Sequence, residues 1–226
     1  MIGVFDSGAG GRFALAELRR LMSKIDTVFY ADRKNAPYGS KSEGELLGLL
    51  LHGIERLLGA GADRVLIACC TASTVHGMLP EEYKEVSVPI IEPTAARAAR
   101  LSRGGRIGVL STEATRKSGA FAKSIGSLGL PEPLCVAAPE LVSLAESGGR
   151  DGNLTYEQRK IIYRAISPLA ERGVDTVILG CTHFAYFEGE ISGMLGCPAV
   201  NSARVGAECI ADDIKNEGTG AEIYLA

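Results

Sequence analysis

The chain of 226 residues is 46% hydrophobic and 23% charged, has a formal net charge of −3 and contains no tryptophan. Its length suits one large domain or two small ones, and its apolar content argues against disorder. The near-neutral charge argues against nucleic acid or an anionic membrane as the main partner. No apolar run reaches the ~18 residues of a transmembrane helix. Since the segment from Met1 also lacks the basic region of a signal peptide, we expect a cytoplasmic protein.

Short apolar runs alternate with longer segments of helical periodicity. Strands are predicted at Ile2–Phe5, Thr27–Tyr30, Arg64–Ala68, Val88–Ile91, Arg106–Leu110, Leu134–Val136, Asp175–Leu179 and Ala199–Val200. Helices are predicted at Ala14–Ser23, Ser42–Gly59, Thr94–Ser102, Thr115–Leu128, Leu141–Glu146, Thr155–Arg172 and Ser202–Glu217, with Ser42, Thr94 and Thr155 as caps. Because the strands are continuously apolar, helices should cover both of their faces, which predicts parallel α/β sheets.

An internal repeat divides the chain. Residues 61–69 (GADRVLIAC) resemble residues 173–181 (GVDTVILGC) at an offset of 112, and residues 2–7 resemble residues 107–112 at an offset of 105. Two matches in the same order predict two similar α/β units, with chance similarity between strand-like segments as the alternative. Each copy ends a strand with a cysteine, Cys69 or Cys181, where ligands bind in parallel sheets.

The six cysteines are expected to be free thiols, and none of their spacings matches a CxxC pair or a zinc finger, so no structural metal is expected. Cys69 and Cys181 each precede a predicted helical start, whose amides would lower a thiol pKa from ~8.5 towards neutrality. One thiolate could then remove a proton from carbon while the opposite thiol returns one to the other face, which inverts a stereocentre. The alternative is that both cysteines are small buried hydrophobic residues.

Three further features are candidates for ligand contacts. The glycine-rich loop 6–11 (DSGAGG) can present amides to an anion but lacks the spacing of a nucleotide loop, and Asp6 within it could be a helix cap or a general base. Tyr38, in a predicted turn, could contact a ligand or be a surface aromatic residue. His183 follows Cys181 by two residues and could tune the thiol, protonate an amine or serve only the structure.

Five segments form a recognisable set: residues 6–11 (DSGAGG), 36–39 (APYG), 68–73 (ACCTAS), 139–148 (PELVSLAESG) and 180–184 (GCTHF). Taken together and in this order, they resemble the cofactor-independent glutamate racemase family of the aspartate/glutamate racemase superfamily. The resemblance covers almost the whole chain. It implies two similar Rossmann/flavodoxin-like parallel-sheet domains related by pseudo-two-fold symmetry, residues 1–92 plus 204–226 and residues 93–203, with the active site in the cleft between them.

The resemblance also implies roles for individual residues. Cys69 would act on the D-enantiomer and Cys181 on the L-enantiomer, with Asp6, Glu146 and His183 as auxiliary acid/base residues. The substrate-binding positions would be Ser7, Pro37, Tyr38, Gly39, Cys70, Thr71, Thr112, Thr115 and Thr182. The substrate would be glutamate, no cofactor or metal would be needed, and the D-glutamate formed would supply peptidoglycan. A homodimer is compatible with the sequence, which does not itself select an oligomeric state.

The sequence departs from the family pattern at three places. Cys70 stands where the family has asparagine, Ala185 where it often has proline, and Asn201 where an aspartate is common. A thiol is a weaker hydrogen-bond donor than an amide, and the lost contact at a buried polar site would cost about 1–3 kcal/mol. Three alternatives therefore stay open: a racemase for aspartate or another substrate such as a hydantoin, a non-catalytic amino-acid-binding homologue, and Cys70 rather than Cys69 as the working thiol.

Overall fold

The computed structural model describes residues 1–147, 154–214 and 218–225. The chain divides into two compact units, the first formed by Met1–Ile90 with Ala203–Ala226 and the second by Ile91–Ser202. These divisions lie two residues and one residue before the boundaries expected after residues 92 and 203. Gly148 and Glu217, at the ends of a quoted motif and a predicted helix, lie outside the described residues.

The described residues form nine strands, eleven α-helices and four short 3₁₀ segments. The strands are β1 Ile2–Asp6, β2 Thr27–Ala31, β3 Arg64–Ile67, β4 Ser87–Pro89, β5 Ile107–Ser111, β6 Leu134–Ala137, β7 Thr176–Gly180, β8 Ala199–Asn201 and β9 Glu222–Leu225. The helices are α1 Gly11–Leu21, α2 Glu43–Gly59, α3 Cys70–Ser73, α4 Glu81–Val86, α5 Ile91–Leu101, α6 Glu113–Ser118, α7 Ala120–Ser127, α8 Pro139–Glu146, α9 Tyr156–Glu171, α10 Glu188–Leu195 and α11 Ser202–Asp212. The 3₁₀ segments are Arg33–Asn35, Tyr38–Ser40, His76–Met78 and Thr182–Phe187.

Each unit is built around one parallel sheet, as predicted. The strand order is β4-β3-β1-β2-β9 in the first unit and β6-β5-β7-β8 in the second. When the second sheet is listed from its other edge, its strand order is β8-β7-β5-β6, which matches β4-β3-β1-β2 of the first sheet position by position. Strand β1 therefore corresponds to β5, β2 to β6, β3 to β7 and β4 to β8. Every described residue of β1, β5 and β7 is buried, which agrees with helices covering both sheet faces.

The strand register confirms that the sequence repeat is structural. Ile2 is paired with Arg64 in the first sheet, and Ile107 is paired with Thr176 in the second. Ile2 and Ile107 are related by the offset of 105, and Arg64 and Thr176 by the offset of 112. The two repeats therefore form equivalent strand pairs, and chance similarity does not account for them.

Two of the three predicted helix caps are confirmed. Ser42 caps α2 and Thr155 caps α9, each in a reciprocal capping box with the side chain three residues later. The prediction for Thr94 is wrong, because α5 begins at Ile91 and buries Thr94 within it. Proline is accommodated in the first turn of a helix, so Pro93 does not delay the start of α5. The predicted strand Val88–Ile91 is accordingly too long, since β4 ends at Pro89.

Other differences concern short elements and a helix break. The predicted helix Thr115–Leu128 is divided into α6 and α7 by Gly119, whose φ of +65° is left-handed. Sequence periodicity missed α3, α4, α10 and β9, which span only four to eight residues each and are too short to show a helical or strand period clearly.

Each unit has its own hydrophobic core. In the first, Phe5 of β1 packs with Leu50, Ile54 and Leu57 of α2. Contact between this strand and helix is close, because a Cβ added at Gly53 would lie 2.2 Å from the ring of Phe5. The core of the second unit gathers buried side chains from β7, α8 and α9. No helix in the described ranges is long and apolar enough to cross a bilayer.

Candidate active site

In the first unit, the predicted site residues follow three neighbouring strands. Asp6 ends β1, Cys69 follows β3, and the loop containing Tyr38 follows β2. Because β1 lies between β2 and β3 in a parallel sheet, these segments leave the sheet at the same edge. The Oγ of Ser7 lies 3.4 Å from the Sγ of Cys69, so the structure brings these two predicted residues into direct contact.

Asp6 is held rigidly beside this thiol. Its carboxylate is completely buried and accepts a hydrogen bond of 2.8 Å from the amide of Gly8. Gly10, not Asp6, is the N-cap residue of α1. Gly11 has to be glycine here, since an added Cβ would lie 2.4 Å from the Cβ of Asp6. These contacts exclude the reading of Asp6 as the α1 cap and leave a fixed negative charge near Cys69.

The environment of Cys69 raises the pKa of its thiol to about 11. Burial is the largest cause, followed by the negative charge of Asp6, while hydrogen bonds from the Ser7 hydroxyl and from backbone amides oppose both effects. The expectation of a lowered pKa is therefore wrong for Cys69 in the ligand-free chain. The helix that follows it, α3, has only four residues and provides a small dipole.

The loop after β2 is fixed by a buried carboxylate. The Tyr38 hydroxyl donates a 2.7 Å hydrogen bond to Asp32, and the side-chain amide of Asn35 donates to both oxygens of that carboxylate at 2.9 and 3.0 Å. Burial and Asp32 together raise the pKa of Tyr38. Only 2% of Tyr38 is exposed, so it is not a surface aromatic residue; its neighbour Pro37 is exposed and Gly39 is half-buried.

Asp32 is the residue that sequence reasoning missed in this loop. Only 3% of it is exposed, although it is a charged residue. The available signal was its position, because Asp32 directly follows the apolar strand β2 just as Asp6 ends β1. Cys70 and Thr71, at the start of α3, are also buried, with 1% and 3% of their surfaces exposed.

In the second unit, an imidazole lies between a thiol and a carboxylate. The Sγ of Cys181 lies 3.7 Å from Nδ1 of His183, and Nε2 of His183 lies 3.5 Å from Oε1 of Glu146. Cys181 and His183 are buried, whereas 53% of the Glu146 side chain is exposed. His183 Nε2 is buried and makes no hydrogen bond to the part of the chain that the structure describes. A buried nitrogen without a hydrogen bond is suited to receive a ligand or a tightened contact with Glu146.

The remaining predicted positions of this unit lie at the ends of its two central strands. Thr112 follows β5 and caps α6, with its Oγ1 accepting from the amide of Thr115 at 3.2 Å. The two hydroxyl oxygens are 3.0 Å apart. Thr182 follows Cys181 at the end of β7 and is buried. The second unit thus brings Thr112 and Thr115 together at one strand end and Cys181, Thr182 and His183 at the next.

Comparison with known proteins gives the family. The sequence profile described as Asp/Glu/hydantoin racemase matches residues 18–210. The chain belongs to this racemase family. It is 38% identical over 197 residues to a glutamate racemase of Desulforudis audaxviator, a match that covers 86% of the chain and 71% of the relative.

Solved racemase structures share the fold. The RacE1 glutamate racemase of Bacillus anthracis superimposes with a TM-score of 0.89 at 27% identity, covering 99% of this chain and 86% of the other. The glutamate racemase of Thermus thermophilus, solved with β-chloro-D-alanine, gives a TM-score of 0.80 at 31% identity over the same shares. The two-unit α/β architecture predicted from the sequence is therefore confirmed, and membership of the racemase family makes the chain an isomerase.

Proposed function

We propose that this chain interconverts L- and D-glutamate without a cofactor, using Cys69 and Cys181 as its two acid/base groups. The observation that carries the proposal is their equivalence: the two sheets pair corresponding strands in the same register, and Cys69 follows the end of β3 by two residues while Cys181 follows the end of β7 directly. Two thiols at equivalent strand ends, each beside a different auxiliary group, suit an enzyme that exchanges a proton on both faces of one carbon. The curated relatives named as glutamate racemases support glutamate as the substrate.

In the L-to-D direction, Cys181 removes the Cα proton and Cys69 supplies a proton to the opposite face. The raised pKa of Cys69 suits this step, because the group is then a thiol at neutral pH and holds the proton it must give. In the reverse direction, Cys69 has to lose its proton first, and the resulting thiolate is a strong base because its conjugate acid is weak. Asp6, fixed beside it, would accept or return that proton.

The auxiliary groups of the second unit act through Cys181. His183 is close to the Cys181 thiol on one side and to the Glu146 carboxylate on the other. An imidazole in this position can take the thiol proton, and the carboxylate stabilises the imidazolium that forms. Thiolate formation at Cys181 is thereby supported by an ion pair, whereas at Cys69 the nearby charge opposes it.

The substrate-binding part of the proposal assigns the remaining positions to the carboxylates and the amino group. The positions follow from the family resemblance, and they are Ser7, Pro37, Tyr38, Gly39, Cys70, Thr71, Thr112, Thr115 and Thr182. The hydroxyl groups and backbone amides among them are neutral donors that suit a carboxylate, whereas Pro37 has neither and contributes only to the shape of the loop. Since the Tyr38 hydroxyl already donates to Asp32, this residue contributes through its backbone and by holding the loop. The proposal includes the supply of D-glutamate for peptidoglycan in the cytoplasm. Light scattering would determine whether the chain forms the homodimer with which its sequence is compatible.

Isotope exchange tests the reaction itself. The purified chain is incubated in D₂O with L- or D-glutamate and no added cofactor, and proton NMR follows the Cα hydrogen. We expect both enantiomers to lose the Cα signal and chiral chromatography to show racemisation. Absence of exchange for both glutamate and aspartate would refute the proposed racemase activity.

The two single variants test the assignment of the thiols. A hydroxyl is far too weak an acid or base at neutral pH, so Cys69→Ser and Cys181→Ser should each block racemisation. A 3-chloroglutamate needs only one base: loss of the Cα proton and chloride gives an enamine, which is hydrolysed to 2-oxoglutarate and ammonia. Cys181→Ser should therefore act on the D-analogue and Cys69→Ser on the L-analogue. Full racemisation by either variant would contradict the two-thiol mechanism.

Cys70 favours a second candidate, a racemase with another substrate. This residue replaces the family asparagine beside Cys69 and changes the hydrogen-bond donors offered to the amino acid. A panel of aspartate, hydantoins and other amino acids measured in the same exchange assay would decide. A clear preference for aspartate over glutamate would support this candidate, whereas a strong preference for glutamate would remove it.

A further inference from the structure

The first unit contains a second possible ligand site, separate from the residues assigned to the reaction. A cavity of about 570 Å³ lies where β2 ends, between the first turn of α1, the 3₁₀ segment Arg33–Asn35, the middle of α2 and the end of β9. Pockets for small molecules commonly have volumes of about 300–1,000 Å³. The cavity is therefore large enough for an organic ligand.

Positive charge is concentrated in this cavity. Its lining includes Arg12, Arg33, Lys34 and Arg56, with His52 beside them. The chain as a whole has more acidic than basic residues, 27 against 24, so this local excess is opposite to the net charge. A cleft lined by one sign of charge raises the local concentration of ions of the opposite sign.

These four cations have no carboxylate partner within the described ranges, unlike Arg20, Arg116 and Arg159, which pair with Glu17, Glu113 and Glu190. Among the described residues, Asp32 is the one carboxylate that lines the cavity, and it is buried and accepts hydrogen bonds from Tyr38 and Asn35. The guanidinium and ammonium groups are therefore available to an anion.

The cavity also offers aromatic surface. Tyr224 on β9 is 55% exposed and is held edge-on by Phe29, with ring centroids 6.0 Å apart. The guanidinium of Arg56 lies 4.7 Å from the ring centre of Tyr30. Planar guanidinium and phenol groups stack well on a planar ring, so the cavity combines contacts for a ring with contacts for an anion.

A cavity of similar size in the second unit lacks this combination. It measures about 630 Å³ and is lined by Arg106, Arg116 and Arg172 together with the acidic Glu132. Arg116 is paired with Glu113, and Arg106 donates to the carbonyl of Gly173. None of the described residues in its lining is aromatic. Of the two cavities, the one in the first unit is therefore the better candidate for a ligand that carries both an anionic group and a ring.

We propose that the cavity at the end of β2 binds an organic phosphate that carries a planar ring, in the chemical class of the nucleoside monophosphates. The phosphate binds Arg33, Lys34 and Arg12, because charged donors bind phosphate oxygens strongly. The ring stacks on Tyr224 or on the guanidinium of Arg56. This site is independent of the racemase proposal, since its occupancy is measured by binding.

Calorimetry on the intact protein at low ionic strength tests this proposal with three probes: AMP, inorganic phosphate and adenosine. We expect AMP to bind about tenfold or more tightly than inorganic phosphate, since stacking of a base on an aromatic side chain contributes roughly 5- to 150-fold in affinity. Adenosine, without a phosphate, should bind more weakly than AMP. Tyr224→Leu should reduce the AMP affinity towards that of phosphate and leave phosphate binding unchanged.

A pair of charge-reversal variants supplies the control. Arg33→Glu with Lys34→Glu should weaken AMP binding at least about tenfold, since each lost charge-assisted contact is strong. Arg100→Glu with Arg103→Glu changes the net charge equally at two exposed positions that do not line the cavity and should bind AMP as the native chain does. Thermal melting of both variants verifies that they fold. Equal weakening in the two double variants, or no AMP binding at millimolar concentration, would overturn the proposal.

Discussion

The unusual titration of Cys69 can be tested without any substrate. With its pKa at about 11, the ligand-free chain should hold Cys69 as a thiol throughout the neutral range. At pH 8 about one molecule in 1,000 would carry the thiolate, against roughly one in four for an ordinary cysteine of pKa near 8.5. Ionisation alone therefore makes Cys69 about 250-fold less reactive.

A thiolate of higher pKa is also a better nucleophile, which offsets part of this loss. With a Brønsted coefficient of about 0.45, the difference of about 2.5 pKa units returns a factor of roughly 13 towards a disulfide reagent. The net rate at pH 8 should be about 20-fold below that of an ordinary exposed thiol, and burial slows the reaction further. The rate should rise about tenfold for each pH unit from 8 to 10.

The assay is reaction with a small aromatic disulfide, followed by peptide mass spectrometry that resolves Cys69 from Cys70. Two variants change the rate in opposite directions. Asp6→Asn removes the negative charge and should speed the reaction, whereas Ser7→Ala removes a hydrogen bond that favours the thiolate and should slow it. A rate for Cys69 that levels off below pH 9, or Asp6→Asn reacting more slowly, would refute the reasoning.

Three further predictions concern stability and substrate choice. Gly53→Ala should destabilise the protein by about 1–3 kcal/mol, because the added methyl group clashes with the Phe5 ring. Gly48→Ala lies in the same helix with open space around it and should stabilise the protein by about 0.5–1 kcal/mol. Urea unfolding measures both free energies, and equal effects would contradict the close packing at Gly53. If the loop after β2 binds substrate, Asp32→Asn should raise KM for glutamate more than it lowers kcat, because the variant loses the charge that holds the Tyr38 hydroxyl. An unchanged KM would show that the loop does not contribute to substrate binding. Cys70→Asn should raise glutamate turnover by about 5- to 150-fold if the thiol has cost an amide contact, and a fall in turnover would indicate a site specialised for another substrate.

The sequence predicted the sheets better than the details of the site. Continuous apolar strands predicted parallel sheets and the two repeat offsets predicted two similar units, because burial on both faces of a strand shows in its local composition. The structure adds the matching strand registers. The pKa of Cys69 was not predictable in this way. Its largest cause is burial by residues distant in the chain, and the next is the charge of Asp6, 63 positions away. Asp32 was missed for a different reason: its position directly after β2 was visible in the sequence, but its burial and its hydrogen bond from Tyr38 appear only in the folded unit.

The two sheets are equivalent, but the residues that surround their two cysteines differ in chemistry. One architecture places a cysteine after β3 and after β7, yet the two neighbourhoods have diverged. Cys69 is buried near the carboxylate of Asp6, and both effects keep its proton in place against the hydrogen bond from the Ser7 hydroxyl, whereas Cys181 lies beside an imidazole that is itself close to a carboxylate. A reversible proton transfer between two faces needs one group that holds a proton and one that can release it at the same pH. The two equivalent sheets supply two thiols, and the different residues next to them give each thiol its own route for gaining and losing a proton as the two exchange roles between the forward and reverse directions.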